Sequence, residues 1–119
     1  MSSAAASPAH FRAMARRPVS LPARIADERN ATAWAARLVD LGLGGACVEL
    51  AEPLSEGVRV KLLIDAPHLW DPLELEAKVA WSRAGAGTTP NRAGVRFESV
   101  SGTTLRLLAE LLEAEAYGA

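Results

Sequence analysis

A mainly β fold, a small six-stranded antiparallel β-barrel capped by a C-terminal α-helix, is what this sequence predicts. Apolar and polar residues alternate with the period of a half-buried strand in six short stretches separated by turn residues. At Ser101 the period changes to that of a single amphipathic helix. The length of 119 residues, 50% hydrophobic and 23% charged, suits one domain around one core.

The Ser/Ala-rich residues 1–11 read as a flexible tail and 12–17 as a basic arginine linker, leaving 18–116 for the barrel and helix. In the first strand Val19, Leu21, Ala23 and Ile25 alternate with Ser20, Pro22 and Arg24. Pro22 has no N–H to donate, so this strand is expected at an edge or with an irregularity. A second strand runs from Trp34 to Val39 and ends at a glycine turn. A third runs from Ala46 to Leu50, with Ala46, Val48 and Leu50 to one side.

Pro53 and Gly57 mark a loop before Val58, Val60, Leu62 and Ile64, whose strand turns Arg59 and Lys61 outward. In the fifth strand Leu73, Leu75, Ala77, Val79 and Trp81 form the inward set. After a Gly/Thr/Pro hairpin loop at 85–90, Ala93, Val95 and Phe97 face in while Arg92, Arg96 and Glu98 face out. Leu105, Leu108, Leu111 and Leu112 then recur at helical spacing and are expected to seal the barrel. Ser101 or Thr103 is the candidate cap, with Gly118 just past the helix end.

Charge narrows the function classes. Thirteen basic and 14 acidic residues give a net charge of −1, which argues against a DNA or RNA binder. The charge is nonetheless polarised. Arg12, Arg16, Arg17 and Arg24 precede the first acid, Asp27, whereas Glu98, Glu110, Glu113 and Glu115 follow Arg96 with only Arg106 against them. A basic arm on a near-neutral body suits a compact anion. No apolar run is long enough to insert in a membrane, no signal-peptide core is evident, and a cytoplasmic setting is expected.

Asp40-Leu41-Gly42-Leu43-Gly44-Gly45 places three glycines in four positions at the end of the second strand. Such a run permits positive-φ backbone and a concavity of N–H groups that attracts anions. It also fits the plainer reading of a tight strand connection. Asp40 is either a turn-former bonding its own backbone or a carboxylate gripping a ligand. The run completes no dinucleotide or P-loop fingerprint, because Cys47 breaks the glycine spacing and no Gly-Lys-Ser/Thr follows.

The arginines Arg12 and Arg16 in Arg12-Ala13-Met14-Ala15-Arg16, the turn from Asp40 to Gly45, Ala77-Lys78-Val79-Ala80-Trp81 and Gly94-Val95-Arg96-Phe97 occur in one order. That order resembles the PilZ domain, the bacterial receptor module for cyclic di-GMP, over roughly residues 12–112. The resemblance implies a PilZ-like barrel of split-barrel type. It also implies Arg12 and Arg16, with Arg17 one residue out of register, on the phosphates and guanines of the ligand. Asp40 and Gly45 match the second motif of the family, and Gly42 stands where serine is expected. A lost hydroxyl contact is worth about 0.5–1.5 kcal/mol, roughly three- to tenfold in affinity.

The implied protein is a non-enzymatic adaptor whose basic arm folds over cyclic di-GMP. It would then show a changed surface to a partner in motility, secretion or polysaccharide machinery. The alternative is a degenerate module that binds no nucleotide and acts by protein contacts. No cofactor is implied, and no nucleophile with an activating partner is found. Cys47 is the only cysteine, and His10 and His68 are too far apart in sequence to suggest a metal pair. Trp81 is expected in the core, and Trp70, between two prolines, under its own loop.

Overall fold

The computed structural model describes residues 16–29, 32–67 and 69–118. Six strands and one helix are present among the described residues: β1 Arg17–Asp27, β2 Thr32–Leu41, β3 Gly45–Leu50, β4 Arg59–Ile64, β5 Leu73–Arg83, β6 Asn91–Phe97 and α1 Gly102–Gly118. The strands close a barrel in the order β1-β2-β3-β6-β5-β4, antiparallel at every contact. Two three-strand meanders therefore make the wall, and the link from β3 to β4 crosses from one meander to the other. The predicted barrel and its helical cap are present.

The core is the set of inward positions the alternation picks out. Ile25, Leu38, Leu41, Val48, Val60, Leu62, Ile64 and Leu75 are almost completely buried inside the wall. Leu108 and Leu111 of α1 are equally buried, each worth about 1.5–3 kcal/mol in transfer terms. Leu105, in the first turn, is 42% exposed, so the sealing stripe starts one turn later than its spacing predicts. Ser101, not Thr103, caps the helix: its Oγ accepts the Thr104 N–H at 3.1 Å and its carbonyl accepts the Leu105 N–H at 2.8 Å. Gly118 is the last helical residue rather than the one beyond.

Pro22 is not on an edge, since the barrel has none. Its carbonyl accepts the Asp65 N–H on the β4 side, and the β1–β4 ladder begins only at Ala23 opposite Ile64. Pro22 falls opposite Asp65, and its ring nitrogen, on the same side as that carbonyl, has no N–H to return, so the ladder stops there one hydrogen bond short. The expected irregularity is present: the β1–β2 register shifts between Pro18 and Leu21. β1 also takes in Arg17, opposite Leu41, which the sequence assigned to the linker.

Two further register shifts matter more. One lies in β2 between Leu38 and Asp40, and one in β5 between Val79 and Trp81. Each inserts an extra residue, so the inward–outward alternation flips beyond it. Trp81 thereby leaves the core position predicted for it and lies outside, 38% exposed. Trp70 is also displaced from expectation and is fully exposed. Leu69 takes the inward place, packed on the core with its N–H bonded to Ala66 O, which turns the next side chain out.

Asp27, buried at the end of β1, accepts the Arg29 N–H at 2.9 Å and the Arg29 guanidinium at 3.3 Å. Those bonds, the backbone one foremost, hold its carboxyl below the ordinary 3.8. A lowered folded-state value stabilises the protein above the ordinary aspartate range. That contribution is lost as pH falls through the folded value. Acid titration of thermal stability is expected to show a shallower low-pH limb in Asp27→Asn than in the parent.

Candidate functional site

The register shifts aim two chemically distinctive side chains at one face of the wall. Outward residues align across four neighbouring strands: Asp40 of β2 opposite Cys47 of β3, Cys47 opposite Gly94 of β6, and Gly94 opposite Trp81 of β5. Without the β2 shift, Asp40 would point into the apolar interior. With it, the carboxylate stands beside the chain entering β1. Arg16 donates from Nε at 3.3 Å and from Nη2 at 3.1 Å, both to Asp40 Oδ2. Each side chain of this pair keeps a little over a third of its surface in solvent, so the pair is worth at most about 1 kcal/mol. Oδ1 of Asp40 and Nη1 of Arg16 have no partner among the described residues.

Gly94 explains how an indole lies flat at the other end of the row. A Cβ on it would fall onto Nε1 of Trp81 and within 2.5 Å of Cε2, so the ring occupies the space a side chain would take. The Arg83 guanidinium sits 5.5 Å from the Trp81 ring centroid, within cation–π range. The next row adds Arg83 opposite Arg92, Arg92 opposite Glu49 and Glu49 opposite Arg37. Arg92 is held by Glu49 at 2.7 Å, and Arg37 donates to Ser20 Oγ at 2.6 Å. An aromatic floor beside a shallow, side-chain-poor strip, edged by guanidinium groups, suits a flat anionic ligand.

The glycine turn does a different job from the one its composition suggests. None of Gly42, Gly44 and Gly45 has a positive φ; among the described glycines only Gly57 and Gly87 do. The Gly42 N–H is spent on Gly45 O at 2.9 Å, and Gly44 O accepts the Phe97 N–H at 2.9 Å. The run is thus a strand connection whose first N–H is already used. Gly45 is required by close approach, because a Cβ there would lie 2.5 Å from the backbone oxygen of Val95. Gly45→Ala is expected to force β3 away from β6 at a cost of about 1–3 kcal/mol. Differential scanning calorimetry would read this as a fall in Tm of roughly 4–8 °C per kcal/mol.

Of the residues singled out from sequence, Arg16, Asp40, Gly42 and Gly45 come together at this corner. Arg17 is exposed, pairs its backbone with Leu41 and reaches no acid among the described residues. Arg12 lies outside the described residues, as do His10 and His68. Cys47, Trp81, Arg83 and Gly94 join the site unannounced. Their signal was the shared position on paired strands, which a period-two reading without bulges misplaces. Burial pushes the Cys47 thiol above its ordinary value, with Arg92 opposing, so it is a neutral packing group at pH 7. No group of three potential metal ligands occurs among the described residues. A cleft of about 380 Å³ near the start of α1 is lined by Glu74, Glu76 and Glu98 with Ser99, Ser101 and Thr104. Its carboxylates make it unfit for an anion.

The PilZ domain family model matches residues 9–114. The chain belongs to the PilZ domain family. This PilZ domain superposes on the PilZ domain of YcgR from Escherichia coli, solved with c-di-GMP, with a TM-score of 0.71 at 23% identity, covering 87% of this chain and 89% of that one. It is 29% identical to full YcgR in complex with c-di-GMP, also from Escherichia coli, with a TM-score of 0.66 and 87% of this chain covered, but 46% of that one. The Bacillus subtilis inhibitor of motility MotI/DgrA gives a TM-score of 0.68 at 19% identity, covering 88% and 51%. The chain thus spans about half the length of two of these three relatives. No curated protein sequence matches it significantly. No described helix of this PilZ domain is long and apolar enough to cross a membrane.

Proposed function

We propose that this PilZ domain is a cytoplasmic, non-enzymatic receptor for cyclic di-GMP that passes the signal on by protein contact. The alignment of Arg16 and Asp40 at one end of the outer row with Trp81 and Arg83 at the other supports it most directly. Arg16, with Arg12 from the segment before it, neutralises phosphate and stacks on guanine. Asp40 offers Oδ1 to the adjacent N–H donors of a guanine edge. Trp81 supplies the floor for a second ring, and Arg83, beside it, raises the local potential toward a dianion. Closing of the arm over the ligand changes the surface that a partner of motility, secretion or polysaccharide machinery meets. Binding is expected to weaken as salt rises, because the cations that attract the ligand are solvent-exposed.

Gly42 favours the second reading, a module that acts by protein contact without nucleotide, since it has no hydroxyl to offer and its N–H is already used. Titration calorimetry with cyclic di-GMP separates the two. Heat of binding at or below about 100 μM ligand supports the receptor, and its absence the contact module. Because Gly42 avoids the left-handed region, serine fits its backbone without strain. Gly42→Ser is expected to tighten binding roughly three- to tenfold, and an unchanged affinity would remove the second motif's polar contact from the mechanism.

A further inference from the structure

The row next to the ligand face carries like charges on three adjacent strands: Arg59 of β4 opposite Lys78 of β5, and Lys78 opposite Arg96 of β6. All three point outward; Arg59 and Arg96 are exposed and Lys78 half-buried. The like pair of Arg83 and Arg92 is relieved by Glu49 on Arg92, and the charges two residues along β4 face their opposites, as Lys61 does Glu76 across the ladder and Glu74 at 2.8 Å. Here they do not. Arg59 has one long contact, its Nε to Glu98 Oε1 at 3.7 Å. Lys78 and Arg96 have no hydrogen bond or ion pair among the described residues. Like charges directly opposite weaken a sheet, and a net charge of −1 shows that the row is a local arrangement rather than overspill from a basic protein.

From this row we infer a docking surface for an acidic helical segment of a partner protein. Neighbouring strands are about 4.8 Å apart, so the three cations form a line about 10 Å long across the sheet. Glutamates at i, i+4 and i+7 on one helix face cover about the same length, at 1.5 Å per residue. On β3 the row ends at Gly45, opposite Arg96, which adds no side chain and no charge to it. The described cleft lies off this row, among Glu74, Glu76 and Glu98, and the acidic face of α1 opposes a long nucleic acid. The inference extends the proposed function by giving the partner a chemistry, and it does not depend on nucleotide being bound.

The probe is an alanine-rich helical peptide bearing one line of glutamates, followed by fluorescence anisotropy on the full chain. Binding is expected to fall at least about tenfold in Lys78→Glu and in Arg96→Glu, and with a glutamine version of the peptide. Arg106→Glu, which changes net charge equally on the exposed face of α1, is expected to leave binding unchanged. Lys78→Glu is also expected to raise Tm, since it turns two like-charge pairs into opposite ones; this shows that the variant folds. Equal loss in Arg106→Glu, no loss in either row variant, or no binding by the parent chain would overturn the assignment. So would an oligonucleotide that outcompetes the peptide on the row. Loss of cyclic di-GMP binding in Lys78→Glu with peptide binding intact would place the row in the ligand site instead. A parent chain that binds the peptide but no dinucleotide would sink the receptor reading and leave the docking surface standing.

Discussion

Arg16→Ala is expected to lower affinity for cyclic di-GMP by about 10- to 100-fold while leaving the fold intact. Two effects act in the same direction. The guanidinium loses charge-assisted bonds to the ligand, worth about 1.5–3 kcal/mol. It also leaves Asp40 without its cation: Arg16 is the only partner of that carboxylate among the described residues, through Nε and Nη2. An uncompensated carboxylate beside an incoming dianion repels it. Stability should change little, because the pair is partly exposed on both sides. Calorimetric titration reads the first quantity and a thermal melt the second. The double variant Arg16→Ala with Asp40→Asn is expected to recover part of the lost affinity. Unchanged binding in Arg16→Ala would mean that the ligand sits elsewhere.

The second large effect is expected at a residue with no side chain. Gly94→Ala places a methyl group where the Trp81 indole now lies, and the ring must swing off β6. Stacking of a base on an aromatic ring is worth about 1–3 kcal/mol, so affinity should fall about tenfold or more. Trp81→Ala should lose a similar amount. Because both act through one ring, the double variant should lose little beyond either single change, a coupling read from a double-mutant cycle. Additive losses would show that Gly94 acts through strand β6 alone. The chemical shift of the Trp81 indole N–H, followed by NMR, should move in Gly94→Ala without ligand present. A purely structural role for the glycine would not require that shift.

How far the sequence reveals this molecule depends on how strictly each strand keeps its period. Val58 to Ile64, Leu73 to Val79 and Ala93 to Phe97 alternate without a break, and their inward residues are where the pattern puts them. Burial of alternate side chains is a local rule, so it can be read locally. A bulge is not local in this sense. It is fixed by how two strands far apart in sequence match register, and nothing around Ala80 or Val39 marks the extra residue. Trp81 was therefore placed on the wrong side of the wall. Asp40 was selected by its likeness to a motif, while the reason it reaches the surface stayed hidden. Glycine composition misled in a related way: Gly45 is small because Val95 crosses close behind it, not because its backbone bends. The Ser101 cap, by contrast, needed only its own helix to be found.

Arg16, beside Asp40, also marks where the segment that carries Arg12 joins the wall. Arg12 is four residues away from that anchor, and four residues of fully stretched polypeptide cover at most about 14 Å. From β2 to β5 the wall is three strand spacings across, again about 14 Å. A span of four residues therefore equals the width of the wall from the carboxylate to the indole. Inserting a few glycines between Arg12 and Arg16 is expected to dilute the first arginine at the ligand face, so the span itself is a dial on ligand affinity.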